Sequence, residues 1–117
     1  MTEEAINIAR TIVSNLEEKK GEDILLLDLI GICSFTDYFV LCTGTSERTI
    51  KALSEEVLNT VKAKHSMRAR GIEGEASSGW VLIDYGDVIL HIFSRSMRAY
   101  YQLDELWQDG KVLLRVQ

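Results

Sequence analysis

The stretch WVLIDYGDVILHIF, residues 80–93, decides how this sequence is read. Two apolar runs meet at Tyr85-Gly86-Asp87, and a glycine there suits the positive φ at the first position of a two-residue type II′ turn. A turn on Gly86-Asp87 pairs Asp84 with Ile89, Ile83 with Leu90, Leu82 with His91, Val81 with Ile92 and Trp80 with Phe93. Moving the turn to Tyr85-Gly86 sets Asp84 against Asp87, a like-charge pair that disfavours it. Side chains alternate along a strand, so Val81, Ile83 and Tyr85 share a face with Val88, Leu90 and Ile92. That face is nearly all aliphatic and is expected to be core. The other face carries Trp80, Leu82, Asp84, Ile89, His91 and Phe93. It reads equally well as a second core layer under a helix and as a binding surface, because interfaces use aromatic anchors with a polar rim.

On either side of the hairpin the periodicity changes. Between about Glu3 and Lys19, the residues Ala5, Ala9, Ile12, Val13 and Leu16 recur at helical spacing, and Lys19, Lys20 and Gly21 mark the stop. DILLLDLI (23–30) and DYFVLCTG (37–44) read as strands separated by GICSFT. TSERTIKALSEEVLNTVKAKH (45–65) reads as a second helix with Ile50, Leu53, Val57 and Val61 as its buried stripe and Thr45 or Ser46 as its cap. The glycine-rich RGIEGEASSG (70–79) leaves room for a short strand around Arg68 to Glu73. A third helix is expected from about Ser96 to Trp107, and KVLLRV (111–116) is either an added strand or a disordered end. This order predicts an α/β (α+β) domain, a mixed β-sheet with packed helices.

No proline, linker, low-complexity tract or repeat interrupts the 117 residues, so 1–117 is expected to be a single domain. With 46% hydrophobic and 26% charged residues the chain has the profile of a soluble globular protein. No apolar run approaches membrane-spanning length, and the acidic, amphipathic start MTEEAINIAR is unlike a secretory signal. The expectation is a cytoplasmic protein with no membrane partner. Cys33 and Cys42 are too far apart for a C-x-x-C motif and are expected to be free thiols. A net charge of −5 suits a basic protein partner and is a poor start for neutralising phosphates, so little or no direct nucleic-acid binding is expected.

Enzyme chemistry is not assembled. His65 and His91, with no clustered cysteines, do not make a zinc site, and neither a metal nor a cofactor is expected. TGTSERT (43–49) follows a strand and opens a helix, where an anion can bind, yet it is neither a Walker A loop nor G-x-G-x-x-G; a capped helix start is the better reading. Asp84 and Asp87 are separated by two residues and a turn, and Asp28 and Asp37 lie on other segments. His91 shares its face with Trp80 and Leu82, where a hydrogen-bonded structural histidine fits better than a general base.

The run Thr36-Asp37-Tyr38-Phe39-Val40, then Thr43-Gly44 with Ser46, Glu73-Gly74, and Trp80 through Val88 with His91 and Phe93, resembles the Iojap family, the ribosomal silencing factors. Arg98, Tyr101, Leu103, Leu106 and Trp107 extend the resemblance over nearly the whole chain. It implies a non-enzymatic protein that binds the fourteenth protein of the large ribosomal subunit, blocks subunit joining and represses translation when nutrients are short. It also implies a fold like a nucleotidyltransferase domain without its catalytic carboxylates, and a homodimer. On this reading the contact is expected to use Trp80, Leu82, Asp84, Tyr85 and Asp87, with Glu73 and Glu75 as rim charges and Arg98 completing the patch. Tyr85 falls on the aliphatic face, so its inclusion requires the strand end to leave it accessible. For Tyr101 and Trp107 a place in the core is the stronger expectation. The alternative is a small nucleotide-binding, nucleotidyltransferase-like enzyme, with phosphate at Gly44 to Ser46 and metal at Asp84 or Asp37.

Overall fold

Where the apolar residues alternate, and where they do not, sets the layers of this protein. The computed structural model describes residues 2–102, 105 and 109–116, with only the backbone of Thr2 and Glu3. Along the chain come α1 (Thr2–Glu18), β1 (Glu22–Asp28), β2 (Tyr38–Thr43), α2 (Glu47–His65), β3 (Gly71–Glu75), a 3-10 turn (Ala76–Ser78), β4 (Trp80–Asp84), β5 (Val88–Phe93), α3 (Arg95–Tyr101) and β6 (Lys111–Val116). The six strands form one sheet in the order β3-β4-β5-β2-β1-β6. β2 and β5 run parallel, and the other neighbours are antiparallel. The domain is the mixed α+β sheet that the order of elements predicts.

Both long helices pack on one face of this sheet. Ala5, Ala9, Ile12, Val13 and Leu16 of α1 and Ile50, Leu53, Val57 and Val61 of α2 are all buried there. They meet Ile24, Leu26, Val40, Cys42, Val81, Ile83, Leu90 and Ile92 from the strands. A second apolar layer on the opposite face gathers Leu25, Leu27, Leu29, Phe39, Leu41, Ile89 and Phe93. β1 thus sends Ile24 and Leu26 one way and Leu25 and Leu27 the other. Burial on both faces is why its sequence is a continuous apolar run instead of an alternation. Cys42 lies in the first layer and Cys33 beside the second, both as free thiols. Burial pushes the Cys42 thiol up to about 12.

The ends of the elements obey local chemistry. Ser46 caps α2, its Oγ accepting from the Thr49 N–H at 3.1 Å, so the TGTSERT segment is a capped helix start. Ser66, at φ +53°, closes that helix with its N–H on the Lys62 carbonyl. The strand expected around Arg68 begins later, at Gly71, because Gly71 is the first residue opposite β4, where it pairs with Asp84. KVLLRV is an edge strand antiparallel to β1. The third helix stops earlier than its periodicity predicts: Gln102 takes φ +50° and donates to the Arg98 carbonyl at 3.0 Å, and a left-handed residue ends an α-helix. Leu103, Leu106 and Trp107 lie outside the described residues. Among the described residues no helix is long and apolar enough to cross a membrane.

Candidate functional site

The hairpin has the register its sequence predicts, with Asp84 opposite Ile89 and Trp80 opposite Phe93. The Tyr85 N–H donates to the Val88 carbonyl at 2.9 Å, and Gly86 sits at φ +88°. The two readings of the mixed face divide by strand. Ile89, His91 and Phe93 of β5 are buried, whereas Trp80, Leu82 and Asp84 of β4 are half-exposed. The cause is position in the sheet: β5 lies between β4 and β2, while β4 is flanked outwardly only by the exposed edge strand β3. β3 pairs Glu75 with Trp80 and Glu73 with Leu82, so both glutamates share the face of Trp80, Leu82 and Asp84.

Trp80 is anchored from below and open above. Its Nε1–H donates to His91 Nδ1 at 3.2 Å. Its ring centroid lies 5.1 Å from that of Phe93 and 4.6 Å from that of Tyr101. Trp80, Leu82, Met97 and Tyr101 wall a cavity of about 300 Å³ with Glu73 at its edge. Tyr101 is 43% exposed, a rim residue and not the core residue its sequence position suggested. Met97 is the member of this surface that the sequence reading missed; it stands four residues before Tyr101, on the same side of α3. Gly74 lets the edge close: a Cβ there would fall 2.1 Å from the Trp80 carbonyl oxygen.

His91 serves the anchor as a neutral ring. Because Nδ1 accepts from Trp80, the neutral imidazole carries its proton on Nε2, which is buried and has no hydrogen-bond partner. Burial holds its pKa down at about 4. An unfolded histidine titrates near 6.5, so between these values the unfolded chain binds the extra proton and stability falls as pH falls. Lowering the pH from about 7 to about 5 is expected to cost on the order of 2 kcal/mol through this residue. Urea unfolding at both pH values, compared with His91→Gln, reads the difference; an equal pH dependence in both proteins would remove His91 as its source.

The remaining expected contact residues are distributed unevenly. Asp84 accepts the Gly86 N–H on Oδ1 at 2.6 Å, so one of its oxygens fixes the turn. Asp87 is exposed in the turn, and its carbonyl accepts from the Asp37 and Tyr38 N–H groups at 3.1 and 3.0 Å. Tyr85 requires a correction. It is 6% exposed in the helix-side core, its hydroxyl unpartnered and pushed up to about 12 by burial. The strand end does not leave it accessible. Arg98 reaches this face of the sheet, but away from Trp80: its Nη1 donates to the Asp23 carbonyl at 2.5 Å and to Thr43 Oγ1 at 3.0 Å, and Thr43 is in one row with Phe93 and Trp80, two strands from the latter. It lines a separate cavity of about 470 Å³ near the end of β2, two strand positions from β4.

The pieces of the enzyme alternative lie apart. Asp37 precedes β2 and Gly44 follows it, so the six-residue strand separates them by roughly 20 Å at about 3.3 Å per residue. Asp84 sits level with Ile89 and Phe39, toward the Asp37 end. A phosphate at Gly44 to Ser46 would therefore be out of reach of metal held by either carboxylate. Among the described residues no three His, Cys, Asp or Glu side chains converge as a metal site.

Residues 2–116 match the family described as "Ribosomal silencing factor during starvation". The chain belongs to that family. A relative from Bacillus subtilis, named Ribosomal silencing factor RsfS, is 35% identical over 104 residues, covering 89% of this chain and 87% of that protein. The mouse protein named Mitochondrial assembly of ribosomal large subunit protein 1 is 31% identical over 101 residues, 82% of this chain but 43% of its own length. Among solved structures, a Chromobacterium violaceum protein superposes with a TM-score of 0.82 at 33% identity, covering 95% of this chain and 91% of that one. The family assignment and the shared fold thus extend over the strands that carry Trp80, Leu82 and His91.

Proposed function

We propose that this chain is a ribosomal silencing factor that binds the fourteenth protein of the large subunit and, by standing where the small subunit docks, blocks subunit joining. Translation is thereby repressed when nutrients are short. The observation that carries this reading is the half-open Trp80–Leu82 surface, edged by Glu73, Glu75 and Asp84, in a member of a family named for ribosomal silencing. Steric exclusion needs affinity and bulk only, so no bond is made or broken and no cofactor is required. An acidic edge complements a basic ribosomal protein and repels a phosphate backbone. On this reading the protein works in the cytoplasm, beside its ribosomes, and a homodimer is part of it.

Mixing the protein with purified ribosomal subunits and following their association by light scattering tests the proposal. Joining is expected to slow as the protein approaches stoichiometry with the large subunit; joining at its ordinary rate with the folded protein in excess overturns it. Because carboxylates meet cations in this contact, raising salt about tenfold is expected to weaken binding severalfold. An association constant that ignores salt would leave the apolar anchors as the whole contact. The enzyme alternative is met by calorimetry with nucleoside triphosphate and magnesium, where saturable heat would restore it.

A further inference from the structure

A second exposed apolar cluster lies at the other end of the sheet face, in the connection between β1 and β2. Ile30, Ile32 and Phe35 are 47%, 46% and 61% exposed. This is an ordered loop, not a slack one. Leu29 is fully buried beneath it, the Leu29 N–H donates to the Asp37 carbonyl at 2.8 Å, and the Ile32 and Cys33 N–H groups both donate to the Leu29 carbonyl at 2.9 Å. Asp28 Oδ1 accepts the Ile30 N–H at 2.9 Å, and Gly31 takes φ +82°. The backbone is thus held so that three large apolar side chains face water, in a segment where polar residues would join the strands equally well.

The hairpin tip is fastened to this loop, since the Asp87 carbonyl accepts from both Asp37 and Tyr38. Phe35 packs over Phe39, ring centroids 6.2 Å apart, and Phe39 lies in one row with Ile89 and Asp84 across β2, β5 and β4. Phe35 therefore stands on the same face as Leu82 and Trp80, over Phe39, whose own backbone is roughly 10 Å from that of Asp84 at about 4.8 Å per strand. Near the apolar cluster and the tip come Asp37, Asp84 and Asp87, none in an ion pair within 4.0 Å among the described residues. Arg70, whose guanidinium lies beside Gly86, brings a basic residue to this tip.

We propose that the loop 29–37 and the hairpin tip form a second docking surface, continuous with the Trp80 face, for a basic protein surface that offers an apolar depression flanked by Lys or Arg. The inference rests on the ribosomal reading for its partner. Charge complementarity selects the occupant. A nucleic acid would bring phosphates against three carboxylates, and a second copy related by a twofold axis would bring the same carboxylates against themselves. A basic protein neutralises them and covers the three apolar side chains at once. The partner is then held at two points on one face, which fixes its orientation as well as its position.

Binding of the full chain to purified large ribosomal subunits tests this, with Ile32→Ser/Phe35→Ser and Trp80→Ala measured side by side. The double variant is expected to lose about tenfold in affinity, with melting and molar mass unchanged. Affinity within about threefold of the unsubstituted chain overturns the inference. If Trp80→Ala alone weakens binding, the ribosomal reading stands without the loop; if the unsubstituted chain does not bind the subunit, both fall. A change in mass by light scattering would assign the loop to a second copy, and a matching loss of affinity for protein-free ribosomal RNA would assign it to nucleic acid; either outcome overturns the proposal. Should the double variant melt early, Phe35→Ala takes its place, since that side chain is the most exposed of the three. Asp87→Asn keeps the carbonyl that fastens loop to tip and is expected to flatten the salt dependence; an unchanged salt slope counts against the rim.

Discussion

Replacing Trp80 by alanine is expected to weaken binding to the large ribosomal subunit by about 2 kcal/mol or more, roughly thirtyfold. The indole is built as an anchor. Its polar atom is consumed internally by His91 Nδ1, and its ring packs at a tilt against those of Phe93 and Tyr101. What it offers a partner is therefore ring surface, prepaid in rotamer entropy because the surrounding contacts already fix its orientation. The same contacts mean that the substitution also costs stability, so affinity must be compared at a temperature where both proteins are folded. Trp80→Phe separates the effects: it keeps an aromatic ring while giving up the hydrogen bond. Isothermal titration against the isolated subunit checks the result. A folded Trp80→Ala variant with unchanged affinity would move the contact elsewhere on the molecule.

Phe93→Ala should destabilise the fold by about 3–5 kcal/mol, the usual cost of removing a fully buried aromatic ring. Phe93 is 0% exposed and ends β5, opposite Thr43 on the parallel side and Trp80 on the antiparallel side. Its ring is stacked with His91 at 5.8 Å, in planes 3° apart. Shortening it opens a void under the Trp80 anchor, within a sheet held on both sides and unable to collapse freely. A urea midpoint shifted at unchanged slope would register the loss. A shift worth less than about 1 kcal/mol would mean that the layer relaxes into the space, contrary to the packing seen here. Lower ribosomal affinity in the same variant, measured while it remains folded, would show that the binding face depends on this floor.

Much of the fold was legible in the chain. The stripe of α1, the capped start of α2 at Ser46 and all five facing pairs of the hairpin follow from spacing, side-chain chemistry and the conformational freedom of Gly86. Each is a local matter, decided within a few residues. The candidate site was legible only in part. The mixed face of the hairpin was readable, but its division into buried β5 and half-open β4 was not, because that depends on which strand has a neighbour on each side. Tyr85 was misplaced as a contact residue because a residue at the end of a strand is accessible or buried according to what packs over it, and α1 is distant in sequence. Arg98 reaches Asp23 and Thr43, a choice that no spacing within its own helix reveals.

Alternation, capping and turn chemistry by themselves determined that this chain makes helices, strands and one tight hairpin, and which face of that hairpin is apolar. The order β3-β4-β5-β2-β1-β6 was decided only in three dimensions, and with it which apolar side chains are covered and which remain open to a partner. The physical reason is one of range. Backbone dihedrals and hydrogen bonds between near neighbours act along the chain, whereas burial is a property of whatever else arrives, and residues such as Trp80 and Phe35 acquire their exposure from elements far away in sequence.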